Sequence, residues 1–189
     1  VVPPRAGDKL AAMAADPKLL EDSRHGQIPK VGSDGKRASM AYAKPVNAAA
    51  KSDAPKIAIV VGGLGVSGSV TEDALTKLPG PVTLAFVPYG GDLDNLSARA
   101  RAADHEVLLQ APMEPFDYPD NDPGPQTLLT TLSAEQNTDR LHWFLSRFQG
   151  YVGVVNHMGG RFSVSEQTLG PILREVAKRG LIYFDDASS

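Results

Sequence analysis

Ile57-Ala58-Ile59-Val60-Val61-Gly62-Gly63-Leu64-Gly65 is the stretch whose reading decides the fold, an unbroken apolar run closed by glycines. Ser69-x-x-Glu72 follows with the spacing of a capping box, the signature of a helix start. A run this short and this rich in β-branched residues reads as a strand covered on both faces, and the glycines read as the turn into the helix. Outward from it the pattern repeats. Val82 to Val87 is a second run, followed by a helical stretch from about Leu93 to Ala103. Val107 to Ala111 is the third, and a long Pro/Gly/Asp loop from Pro112 to about Leu132 follows it. Ser133-x-x-Gln136 then opens a helix that puts Leu141, Phe144, Leu145 and Phe148 on one face. Val152 to Asn156 is the fourth run; Leu169, Ile172, Leu173 and Val176 mark the next helix, with Pro171 expected to delay its regular part. Leu181 to Phe184 is the fifth. Buried strands alternating with helices imply an α/β fold with a parallel sheet.

Toward the N-terminus the pattern stops. Residues 1–54 carry Gly26, Pro29, Gly32, Gly35 and Pro45 with little periodicity, and are expected to form an extended arm with a short helix near Leu10 to Leu20; residues 55–189 are expected to form the α/β domain. The chain reaches Ser189 soon after the fifth run, so the last βα units of a closed barrel are expected to lie outside it. A length of 189 residues suits one core plus an appendage. The net charge of −3, with the basic residues scattered, offers polyanions no field to follow, which argues against a nucleic-acid partner. There are no cysteines, so any metal would be held by His, Asp and Glu. No run of about 18 apolar residues provides a membrane segment, and Val1-Val2-Pro3-Pro4-Arg5 lacks a signal-peptide core.

In parallel α/β folds the loops leaving the strand C-termini carry the chemistry. Those positions are Gly62-Gly63, Pro88-Tyr89, Pro112-Met113-Glu114, Asn156-His157-Met158 and Asp185-Asp186. Four landmarks stand there in order: Ile57 to Gly65, Ala111-Pro-Met-Glu114-Pro, Asn156-His157-Met-Gly-Gly160-Arg-Phe-x-x-Ser165-Glu166, and Gly180-Leu-Ile-Tyr-Phe-Asp185. Together they resemble the divergent polysaccharide deacetylases, and the stretch from Leu20 through Gly26, Pro29, Gly35 and Tyr42-Ala43 resembles that family's N-terminal segment. The resemblance implies an incomplete parallel β/α barrel, a periplasmic or secreted location, and metal-dependent hydrolysis of N-acetyl groups on a glycan or peptidoglycan-like polysaccharide. It further implies a divalent metal, zinc, with His157 as ligand, Glu114 and Asp185 as catalytic acids, and Tyr89, Asn156 and Arg161 facing the substrate.

One departure bears on all of this. The family's Asp-Asp pair, which supplies a general base and a metal ligand, corresponds here to Gly62-Gly63, so Glu114, Asp185 or Asp186 would have to take over those roles. An impaired enzyme is therefore expected, and its rival is a binding module that holds glycan or a cell-envelope partner without metal. A third reading takes Gly63-x-Gly65-x-x-Gly68 as a dinucleotide fingerprint. That motif needs an acidic residue at the end of the second strand, and Val87-Pro88-Tyr89 supplies none before Asp92. Structural readings stand beside these: His157 as a strand-end hydrogen-bonder, Glu114 as a solvated loop acid, Asp185-Asp186 as turn caps, and His142 and Trp143 as packing residues. His25 and His105 read as loop residues without partners, and Phe116 and Tyr118 as stacking surfaces for a sugar.

Overall fold

A computed structural model describes residues 14–44, 55 and 57–187. Each of the five apolar runs supplies a strand, and each strand is followed by a helix or, after the last, by the Asp185-Asp186 turn. The strands are β3 (Val60–Leu64), β4 (Thr83–Phe86), β5 (Val107–Met113), β6 (Gly153–Met158) and β7 (Ile182–Phe184). They form one five-stranded parallel sheet in the order β3-β4-β5-β6-β7. The connecting helices are α2 (Gly68–Lys77), α3 (Leu93–Ala102), α4 (Ala134–Leu145), α5 (Gly160–Ser163) and α6 (Glu166–Lys178). A sheet wound in one direction through βα crossovers of one hand carries all its helices on one face. Accordingly Leu84, Phe86, Leu109, Met113 and Val154 share a single buried cluster with Leu75, Phe144, Ile172 and Val176 of the helices. The opposite, concave face holds a smaller cluster of Ala85, Leu108, Val152 and Val155. The fold is α/β with a parallel sheet; among the described residues the sheet does not close into a barrel, and β3 and β7 are its edges.

The first strand lies later than its apolar run. β4 begins at Thr83, the partner of Val60, so Ile57 and Ile59 are left outside the ladder and exposed. The glycine pair instead falls inside the strand. Val61 pairs with Leu84 but Leu64 pairs with Phe86, so Gly62-Gly63 accommodates one extra residue in β3, with Gly63 at φ +74°. A bulge at that point bends the strand and returns Leu64 to the helix-covered core. Gly65, at φ +101°, sits where a Cβ would come within 2.8 Å of Leu93 Cδ2, a close approach that only glycine allows.

Helix ends differ from expectation in two places. The cap of α2 is Ser67, whose side chain accepts from Val70 N, rather than Ser69. α6 runs regularly from Glu166 with Pro171 inside it, so the proline removes one internal hydrogen bond without delaying the helix. Ser133 and Gln136 do form the full capping box at α4.

The described part of the N-terminal stretch is not extended. The helix expected near Leu10 to Leu20 is, over its described part, a single 3-10 turn at Pro17–Leu19 leading into a hairpin of β1 (Leu20–Ser23) and β2 (Gly26–Pro29). The short helix α1 (Ala38–Ala41) follows. Leu19, Ile28 and Ala38 are buried. Arg179 on the turn after α6 donates to Glu21 of β1, to Glu175 and to Pro29 O, and His25 meets Asp139 of α4 at 2.9 Å, so the hairpin is fastened to two helices. His25 thus has a partner, as does His105, whose Nδ1 lies 2.8 Å from Val82 O. Among the described residues no helix is long and apolar enough to cross a membrane.

Candidate functional site

The C-terminal ends of β5, β6 and β7 and the loop after β5 enclose a cleft of about 430 Å³. Its walls are Pro115, Phe116, Asp117, Asn121, His157, Met158, Gly159, Gly160 and Asp186. That volume and mixture of aromatic, amide and acidic groups suit a small polar ligand such as one sugar residue.

The 114–132 loop is held in place rather than free. Glu114 N donates to Leu128 O and Leu128 N to Pro112 O, which lays the far end of the loop beside β5. Asn137 of α4 receives Leu129 N and donates to Leu129 O, and Arg140 donates to Thr127 O. The Glu114 side chain, almost fully buried, accepts from Thr130 N at 2.6 Å and Thr130 Oγ1 at 2.7 Å through one oxygen and from Arg161 at 3.2 Å through the other. Arg161 also donates to Phe116 O at 2.8 Å. This chain of bonds fixes the backbone at Phe116, a residue 61% exposed at the cleft wall.

His157 enters from β6 on the concave face, in register with Pro112 of β5. Burial holds its imidazole below the usual histidine range, and the nearby Asp186 carboxylate only partly offsets this, so the ring is neutral at pH 7. Asn156 points to the other side of β6, is fully buried, and clamps the turn after β7: its amide donates to Asp186 at 2.7 Å and to Met158 O, and its oxygen accepts from Asp186 N at 3.0 Å. Asp185 accepts from Ala187 N and is exposed. Tyr89 lies apart from the cleft walls, donating to Pro125 O and facing Trp143 with centroids 6.0 Å apart. Burial raises its hydroxyl pKa well out of the physiological range, ahead of a further rise from Asp122.

Of the residues singled out from sequence, His157 therefore lines the cleft, Glu114 and Arg161 form the tether that positions Phe116, and Asn156 orients Asp186. Asp185 and Tyr89 are not among the lining residues. Asp186, singled out with Asp185 at the fifth strand end, does line the cleft; Asp117 and Asn121 line it too and carried no distinguishing signal, since acidic and amide residues abound in any surface loop. The metal implied by the resemblance finds no matching donor set: among the described residues no group of three or more His, Asp or Glu could hold an ion. Gly62-Gly63 offers no side chain, and both oxygens of Glu114 are engaged.

A structure of an uncharacterized protein from Agrobacterium tumefaciens C58 superposes with a TM-score of 0.82 at 44% sequence identity, over 87% of this chain and 65% of that one. An uncharacterized protein of Haemophilus influenzae is 24% identical over 131 residues, 69% of this chain and 45% of its own length. The chain thus spans less than two thirds of either relative. Residues 59–189 match the profile of the divergent polysaccharide deacetylases, and the chain belongs to that family.

Proposed function

We propose that this domain handles an N-acetylated glycan in the cleft around His157, and that the hydrolytic chemistry of its family is impaired in it. Family membership implies a glycan as the substrate class. The observation that carries the second half is the strand geometry: glycines stand within β3 where the family has its acidic pair, and the buried acid that follows β5 is committed to Thr130 and Arg161. A catalytic zinc ordinarily takes three protein ligands, and among the described residues no group of three His, Asp or Glu could hold an ion. On this reading Phe116 offers its face to a pyranose ring, while Asp117, Asn121 and Asp186 accept from sugar hydroxyls. The one-way winding of the five strands supports the further reading that the sheet is an arc of a deacetylase-type β/α barrel. A glycan of the cell envelope as ligand would place the protein in the periplasm or outside the cell.

Zinc titration of chelator-stripped protein tests the proposal, with His157→Ala as control and an N-acetylglucosamine oligomer titrated in parallel. The expected result is oligomer binding without saturable zinc binding. Saturable zinc binding lost in His157→Ala, accompanied by acetate release from the oligomer, would establish the family's metal-dependent deacetylation here and overturn the impairment. Binding of neither would overturn the glycan reading.

A further inference from the structure

We propose that Gln110 and the glycine pair of β3 form a hydrogen-bonding subsite that receives the acetamido carbonyl of an N-acetylated sugar. This inference rests on the glycan reading of the cleft. On the concave face, Gln110 of β5 is opposite Val155 of β6, one inward-facing position before the Pro112–His157 pair. At the strand rise of about 3.3 Å per residue the carboxamide therefore sits roughly 7 Å below the His157 level. Gln110 is only 7% exposed, a position where an amide normally has all its hydrogen bonds made.

Half of that carboxamide is accounted for. Gly63 N donates to Gln110 Oε1. A backbone N–H requires an acceptor, so this bond fixes which end of the amide is oxygen and turns Nε2 the other way. Nε2 lies over Gly62: a Cβ built on that glycine would fall 2.9 Å from it and 3.2 Å from Cδ. Gly62 itself has no unusual backbone requirement, so a side chain at 62 would meet the Gln110 carboxamide first and push it aside. The two Nε2 protons have no acceptor among the described residues.

An oriented N–H pair on a side chain that is otherwise buried favours an oxygen acceptor and opposes a cation, because it presents the positive end of the amide dipole. Of the groups on a glycan, an acetamido carbonyl is the strong neutral acceptor that projects from the ring, and a ring against Phe116 and His157 can direct it toward the strand heads. Gln110 is thus assigned as the residue that distinguishes an N-acetylated from a de-N-acetylated sugar.

The test is calorimetric titration of wild type, Gln110→Glu and Gly62→Ala with N-acetylglucosamine tetramer and with its fully de-N-acetylated counterpart. Gln110→Glu keeps the acceptor for Gly63 N and removes the free N–H donors; Gly62→Ala leaves Gln110 in the chain but displaces its carboxamide. The expected result is a wild-type preference for the N-acetylated tetramer that falls at least tenfold in both variants. It is accompanied by a shift of the Gln110 side-chain amide resonances when wild type is saturated. If Gln110→Glu fails to fold, the Gly62→Ala ratio decides. Equal wild-type affinity for the two tetramers, or a preference unchanged in the folded variants, overturns the assignment while leaving the glycan cleft standing. Binding of neither tetramer by wild type overturns the cleft reading and this one with it.

Discussion

Glu114 illustrates how a residue placed on a catalytic strand end can serve the site without facing it. Its carboxylate is buried beneath the loop and receives three hydrogen bonds, two from Thr130 and one from Arg161. Glu114→Ala would leave the Thr130 donors short of an acceptor, and the expected loss is about 2–4 kcal/mol in urea denaturation. Arg161 is nearly half exposed and Glu114 keeps both Thr130 donors, so Arg161→Ala should destabilise the protein less than Glu114→Ala in the same denaturation experiment. It should nonetheless weaken glycan binding measurably by calorimetry, because it releases the bond to Phe116 O. His157 makes a second residue-scale prediction. Its pKa is lowered by burial, so between the native value and the unfolded value of about 6.5 the unfolded chain binds more protons. The His157 contribution is therefore fully present above that unfolded value and is lost as pH falls through the native one. The melting temperature of wild type should drop between pH 7.5 and 5 by more than that of His157→Gln.

At the scale of elements, the fastening of the β1–β2 hairpin is the arrangement that sequence reading could not supply. Glu175 on α6 is the centre: His142 Nε2 and Arg179 Nε each lie 2.7 Å from its Oε1, and Arg179 continues to Glu21 and Pro29 O of the hairpin. Burial alone would raise the Glu175 carboxyl, but the hydrogen bonds from His142 and Arg179 together bring it below the usual glutamate range. Its contribution is present above the unfolded glutamate value and lost as pH falls through the lower native one. Arg179→Met should destabilise the protein by about 3 kcal/mol, since it strands a mostly buried carboxylate. Equilibrium denaturation at pH 7 checks this, and the penalty should shrink at pH 3, where Glu175 protonates more readily in the variant. The helices and strands of residues 55–189 were legible because each buries a face, and burial imprints a period on the sequence. The hairpin was not: Leu20 to Pro29 shows no clean alternation, because Glu21, Asp22 and Gln27 are exposed and only Ile28 and Pro29 turn inward. Its order comes from ion pairs between residues more than a hundred positions apart, a distance over which no local pattern reports. The cleft was half legible for the same reason. His157 near the end of β6 follows an apolar run that the sequence displays, whereas the role of Gln110 depends on which face of β5 meets which glycine of β3.

Over the whole molecule, a sheet that remains open among the described residues should not be uniformly stable. β5 is buried along its entire length and has a parallel partner on each side. Among the described residues β7 pairs only with β6, has no fully buried residue, and leaves Ile182 49% exposed on the concave face. Amides exchange by local opening where few buried contacts resist it, and only by global unfolding where many do. Leu108 and Leu109 sit at the centre of the sheet, on its concave and helix-covered faces respectively, each against one of the two apolar clusters. Their amides should therefore exchange at a rate set by the global stability. Those of β7 should exchange on the order of a hundredfold faster or more, by opening of a strand held on one side. The cleft spans this gradient: Phe116 and Asp117 extend from the rigid β5 side, while Asp186 follows the weakly held β7. If an N-acetylated glycan bridges the two, as the lining residues suggest, saturating N-acetylglucosamine tetramer should slow exchange in β7 and at Asp186 while leaving Leu108 and Leu109 changed only by the increase in global stability. Protection confined to the loop after β5, with β7 unaltered, would place the ligand on Phe116 alone and remove Asp186 from the site.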